Sequence, residues 1–407
     1  MLLLLVIMTG IAPISLYMLV PALPELARTF GRDISVAQMT VSLYMVGLAF
    51  SQLIMGPLSD RFGRRPVLLA GLSIMVVSGV GSVLSETLPQ LIAARFFQAL
   101  GGATGMVMSR AIIRDLYPRE RVGAMISLVI AVMMIAQMLS PLAGGLLETG
   151  VGWHAILYVV TGASLAVTLC IALLLPETRR RGDRTTAGGG FIGDLRVLSG
   201  SRAFFGYLFC YVIASWIIFT FAGGGPYIVV LHMGRSSAEY GAWFATSGLA
   251  YLLGNLACVR FAPRRSIEQL IWFGLALQFV GALLNVAWGL TGLNQQPSWL
   301  FLTHMIVMFG NAFVMSNAAA GALSIRPQSA GAASGIMGFL QMGLGSLCSQ
   351  FGAYLGGHFA TPVPLNLALV VLSCGCGAAM IFLVPRRRMV MTEELMEKAE
   401  GEETGLL

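Results

Sequence analysis

The chain has 407 residues, of which 57% are hydrophobic and only 11% charged. That balance lies far from the usual soluble one and excludes an ordinary globular domain. The net charge of +7 would fit a nucleic-acid binder, but where the charges fall excludes that class too.

A helix needs about 20 apolar residues to cross a bilayer. Breaks at charged, Pro and Gly clusters leave twelve such runs. They lie near 2–24, 36–56, 67–85, 90–113, 123–147, 153–175, 204–230, 239–259, 267–290, 298–322, 331–357 and 363–384. The predicted fold class is therefore an all-α polytopic membrane protein with twelve transmembrane helices. The chain divides into a first half (1–176), a polar linker (177–203), a second half (204–385) and a tail (386–407). The linker is basic and Gly-rich, so it reads as flexible, and the acidic tail reads as solvated.

The opening run Leu2–Ile7 lacks a basic n-region and continues into the first span, so it is not a signal peptide. The chain enters that span without a leading polar segment, as expected of a truncated or late start. Span 1 carries Tyr17 and then Pro21-Ala22-Leu23-Pro24. Between spans 2 and 3 comes Gly56-Pro57-Leu58-Ser59-Asp60-Arg61-Phe62-Gly63-Arg64-Arg65-Pro66, expected as a short loop. Span 4 opens with Arg95-Phe96-Phe97-Gln98 and closes with Arg110-Ala111-Ile112-Ile113-Arg114-Asp115. Span 5 holds Ser140-Pro141-Leu142-Ala143-Gly144-Gly145. The second half repeats the first loop faintly, from Gly254 to Arg260-Phe261-Ala262-Pro263-Arg264-Arg265, without its acid.

Of the arginines, 19 fall on one side of the membrane if the N-terminus is inside, together with Lys398. Only Arg28, Arg32 and Arg235 fall opposite, and Arg95 and Arg110 lie within span 4. This positive-inside pattern predicts that both termini are cytoplasmic, and the expected location of such a multi-pass chain is the cell's inner (cytoplasmic) membrane. The six cysteines lie in apolar spans without disulfide or metal spacing and read as small packing residues. No Gly-Lys-Ser/Thr phosphate loop and no Ser/His/Asp constellation stands out, so neither ATP-driven transport nor enzymatic activity is expected. No cofactor and no metal is expected.

The loop from Gly56 to Pro66 resembles the signature loop of the major facilitator superfamily. The ordered set of motifs resembles that superfamily's bicyclomycin and chloramphenicol resistance exporters, drug:proton antiporters of the twelve-helix type. The resemblance implies alternating-access export of small, mostly apolar compounds, with the substrate site between two six-helix halves. It implies a conformational gate of Gly56, Asp60, Arg61, Gly63, Arg64, Arg65 and Asp115. Within it, Asp115 pairs with Arg61 or Arg64, and Asp60 caps the start of span 11. It implies an antiporter motif of Pro141, Gly144 and Gly145, whose glycines bring spans 5 and 8 together. Residues in the spans that line the cavity in this family are Tyr17, Tyr44, Arg95, Gln98, Gln137, Tyr211, Trp216, Asn255, Asn311 and Gln341. The partners expected are a small-molecule substrate, protons and lipid, with the protein a monomer and no nucleic acid.

The chain departs from that family at Tyr17, where related exporters usually carry an Asp. No carboxylate lies near the middle of any span. Proton coupling is therefore expected from a rim acid, for which Glu25 is the candidate, or is absent. Each polar residue also has a structural reading. Arg95 would be bonded to backbone carbonyls, Arg110 and Arg114 would snorkel to headgroups, and His304 would be a satisfied packing histidine. Export of an endogenous metabolite or siderophore, an uncoupled facilitator and a non-transporting sensor remain open alternatives.

Overall fold

The unbroken apolar run at the chain's start forms helix α1 (Leu2–Leu19). In the computed structural model it tightens at Val20–Ala22 into a 3-10 turn and resumes as α2 (Leu23–Thr29). Pro21 and Pro24 have no N–H to give, so the regular ladder fails there. The remaining long helices are α3 (Ile34–Phe62), α4 (Arg64–Val83), α5 (Leu88–Leu116), α6 (Arg119–Val151) and α7 (His154–Leu174). Then come α8 (Arg202–Tyr227, prolonged by a π turn, Ile228–His232), α9 (Ser237–Phe261), α10 (Ile267–Leu290), α11 (Pro297–Ser324), α12 (Ala330–His358) and α13 (Val363–Leu383). The structure describes residues 2–178, 193, 196–291 and 296–384. Most of the expected linker and all of the expected tail (386–407) lie outside the described residues.

Among the described residues, eleven segments are long and apolar enough to cross a membrane, α1 and α2 counting as one. The twelfth, α12, has 29 residues but is rich in Gly, Ser and Gln. Its small residues serve contact rather than lipid. A Cβ at Gly352 would collide with the Thr220 carbonyl oxygen, and one at Gly356 with that of Gly224, so α12 and α8 touch backbone to backbone.

The expected loop between spans 2 and 3 is almost entirely helix. α3 runs through Gly56 and Pro57 to Phe62, and α4 begins at Arg64. Only Gly63 breaks the path, at φ 99°, a conformation that a Cβ makes costly.

The first six spans and the last six meet mainly along α3 against α12 and α6 against α9. Side-chain bonds join them at the end of the bundle away from the chain termini. Gln38 Nε2 donates to Ser349 Oγ at 2.9 Å, and Ser42 Oγ to Gln350 Oε1 at 3.0 Å. Gln350 Nε2 donates to the Ser35 carbonyl at 2.6 Å, and Ala238 N to Thr149 Oγ1 at 3.2 Å. One buried cluster runs through both sets there, including Leu16, Val20, Leu23, Tyr44, Phe221, Tyr240 and Phe301. Toward the termini the cores separate. One holds Leu5, Leu68, Ile112 and Ile171, and the other Phe204, Leu208, Ile271 and Met380. The bundle is thus sealed at the far end and parted at the end that carries the termini.

Candidate functional site

Arg95 on α5 is 1% exposed and is the largest of the fully buried side chains. Its Nη1 donates to Ser15 Oγ and to Gln98 Oε1, each at 2.7 Å, and its Nη2 donates to the Ser15 carbonyl at 2.9 Å. The guanidinium lies over the Tyr44 ring, 4.1 Å from its centroid, and the Tyr44 hydroxyl donates to the Ala12 carbonyl at 3.0 Å. No carboxylate joins this set among the described residues. A charge in the middle of a span costs at least about 2.5 kcal/mol. Here hydrogen bonds and a ring face from α1, α3 and α5 offset it. Arg95 therefore bonds to span 1, through the Ser15 hydroxyl and carbonyl, and is shut away from solvent rather than lining a cavity.

A second set lies between the halves. Arg110 on α5 is exposed, six residues before the end of that helix, and Tyr211 on α8 is half-buried. Tyr211 donates to Gln341 Oε1 on α12 at 3.0 Å. Tyr251 on α9 packs against the same buried core as Tyr211, whereas Tyr17 on α1 packs against the core shared by both halves. Tyr17, Tyr211, Trp216, Gln341 and Gln137 are all half-buried, as candidates for a lined cleft should be.

Three further polar residues of the second half bond or stack within it. Asn311 is fully buried and accepts from Gln278 Nε2 of α10 at 2.6 Å, so it serves the contact between α10 and α11. Asn255 accepts from Ser316 Oγ at 2.6 Å and joins α9 to α11. His304 is buried and stacks on Phe221, with ring centroids 3.5 Å apart.

At the termini end, Arg64 gathers the rim. Its Nη1 bonds Asp60 Oδ1 at 2.7 Å and Ser59 Oγ at 2.6 Å, and its Nε lies 3.3 Å from Asp115 Oδ2. Of the two arginines expected to pair with Asp115, it is Arg64 that does so. Arg61 lies over the Phe62 ring instead, at 5.3 Å. Arg65 donates to the Ala172 carbonyl at 2.7 Å. Asp60 does not cap span 11. Its carboxylate is taken by Arg64 one turn along, and α12 starts after Ser329.

The glycine pair also differs from expectation. A Cβ at Gly145 would strike the Ser237 carbonyl oxygen of α9, as foreseen. One at Gly144 would strike the Met18 carbonyl oxygen, so that glycine faces α1. The Pro141 carbonyl in turn meets Gly241 of α9. Glu25 sits in α2 at the far end, 3.7 Å from Arg28 and partly exposed, apart from the tyrosine set.

Glu177 was not foreseen. Its two carboxylate oxygens accept from Arg64 N and Arg65 N, both at 3.1 Å, and so cap α4 where the helix dipole favours an anion. The signal was an acid standing directly after Pro176 at a span's end, hidden by the basic run behind it. Ser15 was missed because a serine in an apolar run carries no mark of its own.

The profile of the Major Facilitator Superfamily matches residues 5–350. The chain belongs to the Major Facilitator Superfamily. It is a multi-pass membrane transporter and not an enzyme. It is 26% identical over 370 residues to a bicyclomycin resistance protein homolog of Haemophilus influenzae, covering 90% of this chain and 92% of that protein. It is 29% identical over 351 residues to multidrug resistance protein D of Escherichia coli, covering 86% and 87%. Among solved structures, a partially occluded inward-open form of the E. coli xylose transporter XylE matches with a TM-score of 0.72. That match has 15% identity and covers 94% of this chain and 97% of the other, which fixes the major facilitator fold and nothing finer.

Proposed function

We propose that this major facilitator exports small, mostly apolar compounds of the antibiotic and drug class by alternating access. Residues 1–176 and 204–385 act as the two rocking halves, joined by 177–203. The termini lie in the cytoplasm, so the parted end receives substrate from inside the cell, and the sealed end opens outward. The observation that carries this reading is the distribution of contacts. Shared core and inter-half bonds gather at the far end, while two separate cores stand at the termini end. Resistance and multidrug transporters among the relatives support the substrate class.

Coupling to protons, if present, runs without an acid in the membrane interior. Tyr17 is a half-buried phenol packed against the shared core, and Glu25 faces solvent and Arg28. The test is accumulation of a drug panel by inverted vesicles that contain the protein, with and without an imposed pH gradient. Uptake above empty vesicles supports export. No uptake of any compound under either condition refutes it.

A further inference from the structure

Helices α4 and α7 hold each other at the end of the bundle that carries the termini. Arg65 Nη2, in the first turn of α4, donates to the Ala172 carbonyl in the last turn of α7 at 2.7 Å. Glu177, three residues past the end of α7, returns the contact. Its Oε1 accepts from Arg64 N and its Oε2 from Arg65 N, both at 3.1 Å, where α4 opens. A cation thus closes the C-terminus of one helix and an anion the N-terminus of the other, the two placements that the helix dipole favours.

The same short segment reaches the charged rim. Thr178 Oγ1 donates to Asp115 Oδ2 at 3.4 Å, the oxygen that Arg64 Nε approaches at 3.3 Å. Arg64 also bonds Asp60 Oδ1 at 2.7 Å. Gly63 completes the seat. Its φ of 99° turns α3 into α4, and a Cβ there would stand only 2.9 Å from Glu177 Oε2. Glu177 and Thr178 therefore grip both members of the pair that joins α4 to α5. One holds the backbone of Arg64 and the other the carboxylate of Asp115. They are also the first residues of 177–203, the stretch between the two halves.

We propose that Glu177 is a positioning residue of the transport cycle: it seats the first turn of α4 so that Arg64 can bridge Asp60 and Asp115, and it makes the start of the inter-half connection part of the gate. Without the carboxylate, two amides at the start of α4 lose their acceptors and turn to water. The first turn then frays, and the backbone that carries the Arg64 guanidinium is no longer fixed. The loss falls on the interconversion of the halves rather than on substrate affinity, because Glu177 acts through Arg64 at the rim. This inference rests on the transport reading above and adds a gate residue to it.

The test gives the full chain in inverted vesicles a radiolabelled drug panel that includes chloramphenicol, and reads rates for each compound that wild type accumulates. Glu177→Gln keeps one acceptor and loses the charge. It should lower the maximal rate about fivefold, the scale of one lost helix cap, and leave KM within about twofold. Glu177→Asp, an anion one methylene shorter, should fall between. Glu177→Gln combined with Asp115→Asn should be within about twofold of the slower single variant, because both act through Arg64, whereas unrelated structural damage would multiply. Hydrogen exchange in detergent gives a reading that needs no substrate. The amides of Arg64 and Arg65 should exchange faster in Glu177→Gln, with the middle of α4 unchanged. A wild-type maximal rate in Glu177→Gln, losses that multiply in the double variant, or unchanged exchange at Arg64 and Arg65 overturns the proposal. If Glu177→Gln does not insert, the same rates and exchange measured on Glu177→Asp decide. No accumulation of any compound by wild type counts against transport itself, whereas normal uptake by Glu177→Gln counts only against this inference.

Discussion

The guanidinium of Arg95 lies 4.1 Å above the centre of the Tyr44 ring, so an aromatic face takes the place that a carboxylate would fill in most buried pairs. Cation–π contact is worth about 2 kcal/mol when desolvated. Tyr44→Phe removes only the bond to Ala12, at a cost near 1 kcal/mol. Tyr44→Leu removes the face as well and should cost roughly 2–3 kcal/mol. Thermal unfolding in detergent should rank the variants in that order. Arg95→Ala should abolish transport, and Arg95→Lys should restore it only in part, because a point charge cannot serve Ser15 and Gln98 together. Full activity of Arg95→Lys would count against this geometry.

The rim should fail through Arg64. It bridges α3 to α5, with Asp60 on one side and Asp115 on the other. Asp60→Asn should reduce vesicle uptake severalfold with insertion intact. Asp115→Asn should cost less, since its contact is longer and each such partly exposed pair is worth about 1 kcal/mol or less. Initial uptake rates at matched protein levels would settle the order, and normal rates in both variants would remove Arg64 from the mechanism.

Gly145→Val should separate α6 from α9. Its side chain would meet the Ser237 backbone, which cannot yield without moving the helix. The expected result is a protein that inserts but transports little. The control is Gly150→Ala, where nothing lies within 4 Å and no effect should follow beyond the local helix preference. A Gly145→Val protein as active as wild type would show that α6 and α9 need not touch there.

Asp33 makes a prediction about pH. Its carboxylate accepts from Ser35 N at 2.7 Å and caps α3, and this backbone bond holds its pKa below the ordinary 3.8. A lowered carboxylate pKa gives stability that is fully present above the ordinary value and is lost as pH falls through the lowered one. Asp33→Ala should therefore lower the melting temperature at pH 7, and the gap from wild type should close as the pH falls from the ordinary carboxylate range through the lowered pKa. A gap that persists in acid would mean that the cap is not the cause.

Tyr17→Phe should leave any pH-gradient dependence of uptake in place, since a phenol cannot readily cycle a proton near neutral pH. Proton release on substrate binding, compared between wild type and this variant, is the measurement. Its disappearance in Tyr17→Phe would put the phenol on the proton path.

How much of this was legible in advance depended on the kind of residue. Long apolar runs declare spans, because the bilayer sets both length and composition. Even so, α12 falls short on composition, since its glycines serve backbone contact with α8. Arg95 and Arg64 could be singled out because a charge in or beside a span demands a partner. Their partners could not be read. Ser15 is an ordinary small residue, and Glu177 lies more than a hundred positions from the helix it caps. Asn311 misled because an amide inside a span satisfies a neighbouring amide as readily as a substrate. Gly144 misled because adjacent helical residues point about 100° apart, so one glycine of the pair meets α9 and the other α1.

The far-end seal is made from amides, hydroxyls and a backbone carbonyl, without a single charge in the bonds between Gln38, Ser42, Ser35, Ser349 and Gln350. Bonds of that kind carry no charge for salt to screen, and they lose little when water replaces one partner with another. The outward swing of the halves should then run at a pace set by temperature and lipid. The charged rim beside the termini is a part of the cycle that the salt content of the surrounding medium can reach.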